Sequence, residues 1–123
     1  MKICITSQGV DLDANVDPRF GRCKYFIITD TGSDEFEAIE NSNVRLSGGA
    51  GIQAGQLMAS KEVKAVLTGN VGPNAFNTLN AAGIIVYTNV SGTVRKAIEL
   101  YKANKLHAAG GSSVQAKFGL SGR

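Results

Sequence analysis

Arg19, Arg22 and Cys23 fall within the stretch VDPRFGRC at residues 16–23, set between a β-rich opening and a later half punctuated by glycines. An arginine fork holds carboxylate or other anionic oxygens through paired hydrogen bonds, and its charge is permanent. A cysteine beside two cations is a candidate thiolate, because nearby positive charge lowers a thiol pKa, and thiolate is a ligand suited to iron. Together the three residues suit an anionic, sulfur-friendly ligand. Two glycine groups could add to them: Gly48, Gly49 and Gly51 before a first helix, and Gly69, Asn70 and Gly72 before a second. Without side-chain obstruction, their backbone amides stay accessible to a bulky anion.

Each of these features has a plainer alternative. Glycines at strand-to-helix junctions also serve as turn punctuation. Arg19 and Arg22 could be solvated or paired with Asp11, Asp13 or Asp17, and Asp17 before Pro18 could simply fix an extended turn. Cys23 could be a semi-buried thiol with no ligand, and Cys4, inside an apolar strand, reads as a small core residue. His107, near the end of the last helix, reads as a surface or capping residue, with a soft-metal role as the alternative.

The elements that must position these residues follow from periodicity. Residues 2–7 and 24–30 are β-branched, apolar runs that predict strands, and 36–40 alternates with period two, which predicts a hairpin partner with one solvated face. From Gly51 to about Lys61, Ile52, Ala54, Leu57, Met58 and Ala59 suit one side of a helix. Residues 64–68 form the next strand. Pro73 fits the first turn of a second helix, which Gly83 stops. Ile84–Tyr87 reads as a strand buried on both faces. Ser91 or Thr93 caps a third helix carrying Val94, Ala97, Ile98 and Tyr101 to about Lys105. Residues 107–123, rich in glycine and serine, read as a loosely held tail after one domain spanning 1–106.

This order brings Ser7, Cys23, Asn41, Gly69 and Thr88 to one edge of a sheet. Helices starting near Gly51, Pro73 and Gly92 begin at that edge too, so their unpaired amides and positive dipole ends should share a crevice.

At 123 residues, 43% hydrophobic and 19% charged, the chain is the size and composition of one globular domain. No apolar run approaches the ~20 residues of a membrane span, and the opening MKICITS has no secretory pattern, so a cytoplasmic protein with reduced Cys4 and Cys23 is expected. The net charge of +3 favours an acidic ligand. Nucleic acid is not expected: Trp is absent, no Lys/Arg run reaches five residues, and Phe20, Tyr25 and Phe26 suit strand packing.

Beyond these signals the chain resembles the NifX/NifB family of iron-molybdenum cofactor biosynthesis domains. The likeness runs through MKICITS, VDPRFGRC, YFIITD, GGAG, LTGNVGPNA and AAGIIVY, over about the first hundred residues. It implies an α/β, ribonuclease H-like fold, a mixed five-stranded sheet of order 3-2-1-4-5 flanked by three helices. It also implies a non-catalytic carrier that binds the iron-molybdenum cofactor or an iron-sulfur precursor cluster and passes it between metallocofactor assembly proteins. Two cysteines exclude permanent four-cysteine ligation. Many relatives carry a histidine shortly before the glycine pair; residues 43–49 here contain none, so histidine ligation would rest on His107.

Two other classes compete. Metal-dependent nuclease chemistry needs carboxylates around paired metals, and Asp11, Asp13 and Asp17 cluster in a loop instead. No CxxxxxR phosphatase sequence is present. A regulatory module binding a small anion or nucleotide is compatible with the glycine turns, although neither is a GxxxxGKS phosphate loop.

Overall fold

The structure is a computed structural model describing residues 1–42 and 48–112. Its elements run β1 (Lys2–Ser7), β2 (Tyr25–Asp30), β3 (Phe36–Glu40), α1 (Ala50–Ser60), β4 (Val63–Leu67), α2 (Pro73–Ala81), β5 (Ile85–Tyr87) and α3 (Val94–Lys102). The five strands form one sheet in the order β3-β2-β1-β4-β5, as expected. Strands β1, β2 and β3 pair antiparallel, and β1, β4 and β5 pair parallel.

Strand β1 is the axis of the core, with Ile3 to Ser7 all buried. Successive side chains on a strand face opposite ways. Cys4 therefore joins Phe26, Ile28, Val66 and Val86 under α1 and α2, while Ile3 and Ile5 join Ile27, Ala65 and Leu67 under α3. Each fully buried isoleucine contributes about 1.5–3 kcal/mol of apolar transfer free energy. This layering leaves the end of the sheet at Ser7, beyond the last paired residues of β4 and β5, as the place where connections emerge.

Four expectations change in the structure. Helix α1 buries Ala50, Ala54, Gly55 and Met58, while Ile52 and Ala59 are exposed. The small residues turn toward α2 because only they allow its close approach, and Ile52 rotates outward as a result. In β3 it is Ile39 that packs on the core; Phe36 and Ala38 lie on the opposite face, which α3 does not reach, and both are exposed. Strand β5 is an edge strand and is not buried on both faces, since Ile85 is 49% exposed. Helix α3 stops at Lys102, with Asn104 in the left-handed region at φ 59°, a conformation asparagine tolerates just past a helix end.

The chain after α3 returns to the sheet. Ala108 bridges Tyr87 antiparallel, and the Ala109 amide donates to the Val86 carbonyl at 2.7 Å, lining the outer edge of β5. The start of the expected tail is therefore hydrogen-bonded to the sheet, and residues 113–123 lie outside the described ones. His107 is exposed on this return segment, beyond the helix. Among the described residues no helix is long and apolar enough to cross a membrane.

Candidate functional site: an arginine arch over two helix starts

Residues 17–24 lead from the loop after β1 into β2 as an arch pinned from several directions. Phe20 is buried, its ring 5.9 Å from that of Phe26, and it anchors the arch in the core. The Phe20 amide donates to the Asn70 carbonyl at 3.2 Å, and the Asn70 amide donates to the Pro18 carbonyl at 2.7 Å, a one-step parallel ladder between the arch and the β4–α2 junction. That approach requires Gly69: a Cβ there would stand 2.7 Å from the Pro18 Cα. Behind the arch, Asn41 Nδ2 donates to the Gly21 and Cys23 carbonyls at 3.0 and 2.9 Å.

The other wall comes from α1 and α2. A Cβ on Gly51 would lie 2.9 Å from the Ala75 Cβ, and one on Gly55 would lie 2.7 Å from Thr78 Cγ2, so the helices pack nearly backbone to backbone. Their first turns consequently sit side by side. Gly21 in turn rests on the Gly51 backbone, where a Cβ would meet N and Cα at 2.9 Å. Helix α1 starts from Gly49 in the left-handed region, φ 78°, and α2 starts from Gly72 followed by Pro73. Among the described residues neither start has a side-chain cap, and neither first turn holds an acidic residue. The amides of an uncapped first turn are open donors and carry the positive end of the helix dipole, worth ~0.3–1 kcal/mol toward an anion at an exposed site.

Between these walls lies a cleft of about 420 Å³, lined by Arg19, Phe20, Gly21, Arg22, Gly49, Ala50, Gly51, Asn70, Gly72 and Ala75. Arg19, Arg22, Gly49, Gly51, Asn70 and Gly72 thus come together around one cleft. Gly69 is buried behind the cleft as a contact glycine, and Gly48 is exposed outside its lining. Phe20, Gly21, Ala50 and Ala75 supply a partly apolar floor and lie outside the residues expected to form the site. The small residues at positions 51 and 55, one helical turn apart, were the available signal.

Two expectations about chemistry are corrected by the geometry. Cys23 is fully buried in the core beneath α1 and α2, a free thiol like Cys4, and does not line the cleft. Burial pushes its pKa far up, and the nearby Asp17 carboxylate pushes the same way; its own backbone amide, Arg19 and Asn41 oppose this more weakly. The neighbouring arginines therefore do not make it a thiolate, because Arg19 is turned outward while the sulfur faces the core. Burial, and secondarily Cys23, raises the Cys4 pKa as well.

Helix α3 does not contribute an open start either. Its Val94 and Arg95 amides donate to the Ala14 and Leu12 carbonyls, and the Lys96 amide donates to Thr93 Oγ1. The loop between β1 and the arch closes over that helix end. Asp13 in this loop pairs with Arg95 at 3.1 Å, and Asp11 accepts the Asp13 amide. Asp11 and Asp13 are thus committed to local tasks in this loop. Among the described residues no three His, Cys, Asp or Glu side chains gather as a metal-holding group.

Comparison with known proteins bears on a site of this composition. The family model described as "Dinitrogenase iron-molybdenum cofactor" matches residues 1–104. The chain belongs to this NifX/NifB-like family. Its fold is shared with the orange protein of Desulfovibrio gigas, solved in its apo form, at a TM-score of 0.90 and 39% identity over 92% of this chain and 96% of that one. A candidate NifB protein of Thermotoga superposes with a TM-score of 0.77 at 41% identity, covering 87% of this chain and 91% of its own. An uncharacterized protein of Methanocaldococcus jannaschii is 30% identical over 110 residues, 86% of this chain and 93% of its own. The family match includes both walls of the cleft.

Proposed function

We propose that the protein is a non-catalytic carrier that holds an anionic iron-sulfur or iron-molybdenum cluster in the cleft between the arch and the starts of α1 and α2. The observation that carries this reading is convergence: two uncapped helix starts and two arginines line one hollow of about 420 Å³. Each contact alone is weak, and several aimed at one volume select for negative charge. The partly apolar floor suits a polarizable, sulfur-rich body. Amide and guanidinium donors hold such a body without bonds to its metal atoms, which suits cargo that must be released to metallocofactor assembly proteins. The family's description and the apo state of the Desulfovibrio relative support a cofactor-handling role. The strand order and layering support assigning the fold to the ribonuclease H-like class. Free Cys4 and Cys23 suit work in the cytoplasm.

Anaerobic incubation of the full chain with iron and sulfide, with and without molybdate, followed by gel filtration, absorption and metal analysis, tests the proposal. The wild type should retain a coloured species that an Arg19→Gln/Arg22→Gln variant retains at least tenfold less. Equal retention by both would overturn it.

A further inference from the structure

Asp17 is the one buried charged residue among those described, 1% exposed at the root of the arch. A carboxylate in such a position is costly unless hydrogen bonds and positive charge offset its lost hydration. Here the offsets all come from the arch. Oδ1 accepts the Arg19 amide at 3.1 Å, Oδ2 accepts the Lys24 amide at 3.3 Å, and the Arg19 Nε lies 3.5 Å from Oδ1. One carboxylate therefore ties together the two ends of the segment that presents Arg19 and Arg22.

The backbone of Asp17 is itself immobilised. Its amide donates to the Thr6 carbonyl at 2.9 Å, and its carbonyl accepts the Thr6 hydroxyl at 2.7 Å. Thr6 Oγ1 also lies 2.9 Å from Thr68 Oγ1, joining the ends of β1 and β4 in one buried polar group. Rigid strands thus hold the aspartate, and the aspartate holds the arch. Arg19 is 58% exposed, and with its Nε turned to Asp17 its two Nη groups remain as the other donors of the fork.

We infer that Asp17 is the positioning residue of the cleft, fixing Arg19 and the arch in the conformation that receives an anion. This rests on the reading of the cleft as an anion site and deepens it. The aspartate also lowers the positive potential at Arg19, so its presence favours geometry over maximal charge.

The test uses the full chain labelled with ¹⁵N, with molybdate as the probe anion. In Asp17→Asn, which keeps the side-chain volume and one acceptor oxygen, the Arg19 and Lys24 amides should exchange at least tenfold faster while β1 and β4 amides stay protected. Molybdate binding should weaken about tenfold despite the removal of a negative charge. Thr29→Ala, which loses the hydrogen bond from Thr29 Oγ1 to the Glu35 carbonyl at the far end of β2, should change neither readout. Unchanged exchange in Asp17→Asn, or tighter molybdate binding by it, overturns the inference. If the wild type binds no molybdate, the anion reading fails for this probe while exchange still decides whether Asp17 orders the arch. If Asp17→Asn does not fold, the wild-type Arg19 and Lys24 amides decide: protection at both supports the role, and free exchange at either overturns it.

Discussion

Gly51 of α1 and Ala75 of α2 are in direct backbone-level contact, a Cβ at position 51 falling 2.9 Å from the Ala75 Cβ. This one approach sets the first turns of both helices against a common cleft, and Gly21 of the arch closes on the same glycine. Widening it should cost both stability and the site.

Gly51→Val should therefore destabilise the protein by about 1–3 kcal/mol through overpacking. In the milder Gly51→Ala, adding Ala75→Gly should recover part of the loss, giving a coupling above about 0.5 kcal/mol in a double-mutant cycle measured by urea unfolding. Strict additivity would show that the two positions do not touch.

Gly69→Ala tests the opposite wall. The new Cβ would meet the Pro18 Cα and carbonyl at 2.7 and 2.8 Å, and backbone cannot yield as a flexible side chain can. The ladder between Pro18 and Asn70 should break, seen as loss of exchange protection at the Asn70 amide together with about 1–3 kcal/mol of stability.

The buried thiols make a prediction about pH. Burial raises both Cys23 and Cys4, so the folded protein holds these protons more tightly than the unfolded chain. Their contribution to stability is complete below the unfolded thiol value of about 8.5 and declines as pH rises above it. Urea midpoints should fall more steeply from pH 8 to pH 10 in the wild type than in Cys4→Ala/Cys23→Ala. In native protein at pH 8, alkylation of either thiol should be limited by unfolding.

Thr93→Ala separates the third helix from the site. Loss of the Thr93 Oγ1 cap should cost about 0.5–2 kcal/mol in thermal or urea unfolding. Cluster retention should be unchanged, because the α3 start is closed by Leu12 and Ala14 and lies outside the cleft.

The strands and the three helices were legible in the chain itself, whereas the common edge expected to gather Arg19, Arg22, Gly49, Gly51, Asn70 and Gly72 was argued through the sheet topology. Local propensity, glycine and proline placement and apolar period are nearest-neighbour properties, and the position of a strand's end follows from them. The 3-2-1-4-5 order was legible only through family resemblance. What tertiary structure alone decided was direction and satisfaction. Cys23 turns into the core while Arg19, four residues earlier, turns out, because Phe20 and Asp17 fix the rotation of the arch. Helix α3 looks like α1 and α2 in sequence, yet its donors are taken by carbonyls about eighty residues away in the chain. Charge, burial and open hydrogen-bonding capacity depend on which distant groups arrive beside a residue, and no local pattern encodes that.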